Sequence, residues 1–187
     1  AIEAALAATS THEIIELGAG SGALAAGMLG ELARRDALPS RYRILEVSAE
    51  LRARQRESIA AVADASSVAV EWLDQLPATI EGVVVMNEVL DAIAPRVIAR
   101  RDGAWFERGV AWRDGVLQMT QRPLDDARVR AIAGARFPAA GDYVSEVNPA
   151  AEALVATIAR RLGAGALLIV DYGFPQREYY HPQRCDG

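Results

Sequence analysis

The sequence predicts an α/β fold, a mostly parallel sheet with an antiparallel β-meander inserted into it. Two observations carry this reading. Short apolar runs alternate with helix-period segments over the first ninety residues, an order that calls for parallel strands joined by right-handed crossovers. Three strand-like runs joined by Asp102-Gly103 and Asp114-Gly115 then interrupt it, and Asp-Gly between strands is a tight-hairpin signal.

The chain enters at a helix-like segment. Glu13–Leu17 (EIIEL) is a short apolar run ending in a glycine cluster, so it reads as a buried strand. Ala23–Arg35 carries Leu24, Met28 and Leu32 at i, i+4 and i+8, one helical face. Tyr42–Val47 (YRILEV) is a second strand, Ala49–Val62 an Arg-rich helix and Val68–Leu73 (VAVEWL) a third strand. Gly82–Met86 (GVVVM) is a fourth, apolar enough to be covered on both faces. The meander strands are Arg96–Arg101, Trp105–Trp112 and Val116–Arg122. A short helix is expected at Leu124–Gly134, followed by YVSEVN at Tyr143–Asn148. The next helix, Ala150–Leu162, sets Ala151, Leu154, Val155, Ile158 and Leu162 on one stripe, and Gly163 and Gly165 should end it. Ala166–Val170 (ALLIV) is the fifth strand of the parallel sheet and leads into Asp171-Tyr172-Gly173. With no internal repeat and no linker, residues 1–187 read as a single domain, the meander occupying about 96–122.

Composition narrows the function classes. The chain has 187 residues, 51% hydrophobic and 24% charged, which excludes a disordered or collagen-like segment. A net charge of −5 and a pI near 5.1 argue against a nucleic-acid partner. All twenty basic residues are Arg, which removes Schiff-base lysines and the P-loop lysine. No apolar stretch reaches the ~18 residues a membrane span needs. Cys185 has no partner for an internal disulfide, and His12 and His181 lie in no metal-ligand spacing, so no metal is expected. The Trp and Tyr residues Trp72, Trp105, Trp112, Tyr179 and Tyr180 read as packing groups. The chain starts at Ala1 rather than Met, so it is expected to be a piece of something longer, any targeting signal lying upstream.

The sharpest chemical signal is Glu16-Leu17-Gly18-Ala19-Gly20-Ser21-Gly22-Ala23, set between a strand and a helix. Glycines let the backbone turn tightly and approach a ligand, and helix N–H groups point outward. A ligand-free βα turn is the bland alternative, but three alternating glycines exceed what a turn requires. Gly18, Gly20 and Ala23 satisfy G-x-G-x-x-A, a dinucleotide fingerprint. Gly22 makes the run G-x-G-x-G, and Glu16 stands where a carboxylate can face a cation. S-adenosylmethionine, with its ammonium and sulfonium, suits that carboxylate; a pyrophosphate does not.

Glu46 ends the second strand and can accept from ribose hydroxyls, or be a solvated strand-end charge. Ala19, Val47 and Asn87 are also expected in the cofactor set. Asp74, after the third strand, can reach an adenine amino group or act as a cap. Asn87, Glu88 and Asp91 follow the fourth strand, at the mouth of the crevice that open α/β sheets form beyond their C-terminal strand ends. Asp171, Tyr172 and Gly173 should approach the same crevice. Asp91 is the residue there best suited to cap a following helix. Glu146 and Asn148 serve equally as caps or site residues.

ELGAGSGALA (Glu16–Ala25), RYRILEVSAELRARQRE (Arg41–Glu57), NEVLDA (Asn87–Ala92), YVSEVN and LLIVDYGFPQREYYHPQR (Leu167–Arg184) together resemble the MidA-like family of class I S-adenosylmethionine-dependent methyltransferases. That family includes the mitochondrial assembly factor of respiratory complex I. The resemblance implies a Rossmann-like fold, S-adenosylmethionine as cofactor and methylation of a protein arginine. By the same resemblance Glu16, Gly18, Gly20 and Gly22 match the cofactor loop, Glu46 the ribose-binding acid, and Asn87, Glu88 and Asp91 the methyl-transfer end. Such sheets normally have seven strands and five are read here, so a truncated version of the full domain is expected.

Arginine is a poor nucleophile until oriented, and a carboxylate can grip it bidentately and receive its proton. Glu88 is the first candidate for that grip and Asp91 the second. The rival readings are a nicotinamide-dependent oxidoreductase, a non-enzymatic assembly module docking through the meander, and a small-molecule methyltransferase. A bacterial cytoplasmic setting is expected, or the mitochondrial matrix in a eukaryote, and a homodimer is compatible with the sequence.

Overall fold

The computed structural model describes residues 1–185. In chain order the elements are α1 (Ile2–Thr9), β1 (Glu13–Leu17), α2 (Ala23–Arg34), β2 (Arg41–Leu45), α3 (Ala49–Ser66), β3 (Ala69–Leu73), β4 (Ile80–Asn87), β5 (Arg96–Arg101), β6 (Ala104–Arg113), β7 (Val116–Pro123), α4 (Ala127–Arg136), β8 (Tyr143–Val147), α5 (Pro149–Arg161), β9 (Leu162–Val170) and α6 (Gln176–Tyr179). They form two compact units: Ala1–Ala92 with Leu154–Asp171, and Ile93–Ala153 with the residues from Tyr172 onward.

The first unit holds a five-stranded parallel sheet in the order β3-β2-β1-β4-β9. The chain leaves β1 for β2 on one side, and the sheet later resumes at β4 on the other. That reversal is a topological switch point, where open α/β sheets bind ligands beyond the strand ends. Side chains alternate along β4. Val83 and Val85 enter a core with Ile14, Leu29, Tyr42, Ile44 and Ile59, while Val84 and Met86 enter another with Ile15, Leu17 and Ile158. Both faces of the GVVVM run are therefore covered, as its unbroken apolar pattern requires.

One helix face and three boundaries differ from the sequence reading. Leu24 is not on the buried face of α2. It is 42% exposed, and the helix instead buries Ala25, Leu29 and Leu32, because the sheet contacts a face rotated by one position. α3 runs on to Ser66. α4 begins at Ala127, since Asp126 caps it by accepting from the Val129 N–H at 3.1 Å. α5 passes directly into β9 at Leu162, so Gly163 and Gly165 are strand residues rather than a helix stop. Gly165 pairs with Gly82 just beyond a register shift at which β9 carries the extra residue Gly163, and there the two backbones crowd.

The second unit is a four-stranded antiparallel sheet, β7-β6-β5-β8. The meander forms as the two Asp-Gly turns predict, with Asp102 and Asp114 in the left-handed region beside their glycines. The fourth strand, β8, pairs with β5 (Val97 opposite Glu146) and has no local turn signal of its own. Its core gathers Ile98, Leu124, Val129, Phe137, Tyr143 and Val147, with the Phe137 and Tyr143 rings edge-on at 4.9 Å. Trp105 and Tyr180 pack against that core. Trp112 does not: it stays exposed beside Val110, Leu117 and Met119, which share its face of the β6–β7 hairpin.

Candidate functional site

β1 delivers the chain into Gly18-Ala19-Gly20-Ser21-Gly22, and the three glycines take φ of 64°, 55° and 83°. The loop is tied to β2 by the Gly18 N–H, which donates to the Leu45 carbonyl at 3.2 Å. A side chain built at Gly20 would meet nothing within 4 Å, so that peptide borders open room that a ligand can enter. At Gly22 a Cβ would lie 3.1 Å from the Gln55 Cα. There the lack of a side chain lets α2 start against α3, the packing role of the last glycine in such loops. Ala19 is buried in the core on the α2 side.

Glu16 shares the Ile14 face of β1 and is buried, 1% exposed. Its Oε2 accepts from the Tyr42 hydroxyl at 2.6 Å. Burial raises its pKa above the ordinary 4.5, the Tyr42 bond offsetting only part of that, and burial likewise raises the Tyr42 hydroxyl. The folded chain therefore holds this proton more tightly than the unfolded chain. The stability tied to the proton is full below 4.5 and is lost as pH rises through the raised value. Glu16→Gln removes that loss. In urea titrations its stability relative to wild type should rise across this interval and be flat on either side. A constant offset from pH 4 upward would contradict the assignment.

Glu46 follows β2 directly and is 7% exposed. Its Oε1 accepts from the Ser48 N–H at 2.9 Å and its Oε2 from the Gln55 amide at 3.2 Å. Each oxygen keeps a further acceptor position, which is what a pair of ribose hydroxyls requires. Val47, next in the chain, is 89% exposed, an apolar surface left open beside that carboxylate. Asp74 pairs with Arg52 at 2.8 Å. Arg52 also donates to the carbonyls of Glu46 at 2.6 Å and Leu73 at 2.8 Å, so it ties the ends of β2 and β3 together.

Asn87 ends β4, and Asn87, Glu88 and Asp91 are all exposed. No helix follows them. Residues 88–95 form turns and bends that lead into β5, so no helix begins after Asp91, because the chain passes from one strand to another. Two bonds anchor the turn to the end of β9: Glu88 N–H to the Val170 carbonyl at 2.8 Å, and Leu90 N–H to Asp171 Oδ2 at 3.1 Å. Glu88 is held at φ 51°, a left-handed backbone that costs a non-glycine residue about 1 kcal/mol or more and is concentrated at functional sites. A Cβ at Gly18 would sit 3.2 Å from the Val89 side chain, so this turn lies against the glycine loop. The structure thus brings together the loop, the Asn87–Asp91 turn and Asp171.

Tyr172 and Gly173 belong to the antiparallel unit. There Asn148 starts α5, its Oδ1 accepting from the Ala151 N–H at 3.0 Å and its amide donating to the Ile93 carbonyl at 2.7 Å. Glu146 accepts from the Tyr179 hydroxyl at 3.0 Å. Burial first, then that bond, pushes the Tyr179 hydroxyl up to about 12. Among the described residues no group of three or more His, Cys, Asp or Glu is arranged to hold a metal ion.

Gln55 is the residue that sequence reasoning missed. It lies among arginines on a helix whose polar face looked solvated. Its spacing of four from Ile59 was the available signal, since these two are the buried residues of α3.

The family model described as "Putative S-adenosyl-L-methionine-dependent methyltransferase" matches residues 3–187. The chain belongs to this family. The solved structure of a COG1565 superfamily member from Burkholderia thailandensis, bound to S-adenosyl-homocysteine, is 44% identical over all of this chain, with a TM-score of 0.90. A native crystal structure of a COG1565 superfamily protein from the same organism gives 44% identity and a TM-score of 0.91. This methyltransferase-family chain covers 48% and 50% of those two chains, about half the length of each. A comparison with curated proteins found no match. Membership in this family sets aside the nicotinamide reading of G-x-G-x-x-A. No helix among the described residues is long and apolar enough to cross a membrane.

Proposed function

We propose that this chain binds S-adenosylmethionine at Gly18–Gly22 with Glu46 on the ribose, and that the protein it belongs to methylates a protein arginine. One observation carries the first half. A left-handed glycine loop with free room at Gly20 lies beside a buried carboxylate whose two oxygens each retain an acceptor position, at the switch point of a parallel sheet. The S-adenosyl-homocysteine bound by the relative from B. thailandensis supports it. Bound here, the cofactor would supply a sulfonium methyl group. Val47 offers an apolar contact and Asp74 a hydrogen-bond acceptor for the base. Glu16, the carboxylate expected to face the cationic cofactor, stands two residues before Gly18 with its Oε2 on the Tyr42 hydroxyl.

The arginine half rests on the NEVLDA and DYGFPQREYYHP segments that resemble the MidA-like family, and within that resemblance on a part in complex I assembly. Glu88 grips the guanidinium and takes up its proton, Asp91 assists, and Asn87 positions the acceptor. The residues 1–187 act as a single methyltransferase-like domain in this reading. The test is transfer of a labelled methyl group to proteins of a depleted lysate, followed by hydrolysis and amino-acid analysis. Label in methylarginine is expected. Label in lysine or in small molecules alone would overturn the arginine assignment.

A second reading, an interaction module, has its own observation. Val110, Trp112, Leu117 and Met119, each more than half exposed, share one face of the β6–β7 hairpin. If docking is the function, partner binding persists in Gly20→Val; if methylation is, label incorporation is lost in that variant.

A further inference from the structure

Gln55 is a fully buried polar residue. Its amide is spent on three partners. Nε2 donates to the Gly20 carbonyl at 3.0 Å and to Glu46 Oε2 at 3.2 Å, and Oε1 accepts from the Trp72 indole N–H at 2.9 Å. The orientation of the amide is dictated by its neighbours. An indole N–H only donates and a carbonyl only accepts, so the reversed amide would set donor against donor and acceptor against acceptor. Trp72 is held in turn by the Arg56 guanidinium stacked 4.7 Å over its ring.

The three partners come from the turn after β1, the end of β2 and strand β3. We infer that Gln55, oriented by Trp72, is a positioning residue that fixes the Gly20 peptide and the Glu46 carboxylate at one mutual spacing, so that nucleoside affinity depends on its two donated hydrogen bonds. This rests on the cofactor reading proposed above. A donor to a buried carboxylate is among the stronger hydrogen bonds; without it Glu46 is held only through Oε1 by the Ser48 N–H, and the loop carbonyl loses the Gln55 donor.

The experiment compares Gln55→Met, Glu46→Gln, the double variant and Ile59→Val by S-adenosylhomocysteine calorimetry and thermal unfolding. Gln55→Met keeps the volume and removes the donors. It should weaken binding about ten- to a hundredfold. In the double variant the loss should be well short of the product of the single losses, because both act through one carboxylate. Ile59→Val lowers stability on the same helix face and should leave affinity within about twofold. Wild-type affinity in folded Gln55→Met, or losses that multiply in the double variant, would overturn the inference while leaving the cofactor reading standing. Absence of S-adenosylhomocysteine binding by the wild-type chain would instead overturn the cofactor reading and this inference with it.

Discussion

Replacing Gly165 with alanine should destabilise the parallel sheet by about 3 kcal/mol or more, with folded yield falling accordingly. Gly165 sits at φ 140°, and a Cβ there would lie 1.8 Å from the Gly82 carbonyl oxygen of the neighbouring strand. Backbone on backbone leaves nothing flexible to give way. The strands would have to part beside the register shift in β9, and its neighbour β4 is the strand whose end bears Asn87. Gly163, two residues earlier on β9, is the control. Its added Cβ would make ordinary contact at 3.4 Å with the Thr79 methyl, so Gly163→Ala should shift stability by less than about 1 kcal/mol. Urea midpoints of the two variants decide the point. Equal midpoints would show that the close β4–β9 approach is not a constraint of the fold.

The second large effect is on chemistry. On the role proposed for Glu88, Glu88→Gln should lower methyl transfer about 10²- to 10⁴-fold, the usual contribution of a positioned proton acceptor, and leave cofactor affinity unchanged. The amide keeps the size of the carboxylate but can neither pair bidentately with a guanidinium nor take its proton. The backbone at φ 51° and the Glu88 N–H bond to Val170 are properties of the main chain, so the turn should survive the substitution. Label incorporation measured beside S-adenosylhomocysteine affinity separates the two roles. An equal fall in both would move Glu88 out of the acceptor site and into the cofactor site.

The sequence disclosed most of the parallel sheet, and the reason is physical. The central strands β1 and β4 are buried on both faces, so EIIEL and GVVVM stand out as apolar runs; ALLIV is as apolar although its end is exposed at Ile169 and Val170, and the Asp-Gly pairs mark the meander because that turn demands left-handed residues. β8 was not legible. Its pairing with β5 spans some forty-five residues, and non-local pairing leaves no local trace. The rotated face of α2 was missed because Leu24 outweighs Ala25 on any hydropathy scale while the sheet buries the alanine. In the candidate site, Glu16, Glu46 and the glycines stand out by type and spacing. What holds them does not. The partners of Glu46 come from α3 and the turn before it, those of Glu16 from β2, and a glutamine or a tyrosine announces no such role until three strand ends converge on it. The Asn87–Asp91 turn belongs to the same class. Its residues were legible, but its anchorage on the end of β9 was not, being eighty-one residues distant in the chain at Leu90–Asp171.

We propose the Gly18–Gly22 loop and Glu46 as a nucleoside site for S-adenosylmethionine. Calorimetric titration of S-adenosylhomocysteine into this chain, with NADH and a Gly20→Val variant beside it, tests that site. A β-branched residue is strained at φ 55° and fills the room beside the loop. Saturable binding of S-adenosylhomocysteine, none of NADH, and loss of binding in a folded Gly20→Val are the expected results. Binding that survives in Gly20→Val, or a folded wild-type chain that binds no S-adenosylhomocysteine, would contradict it.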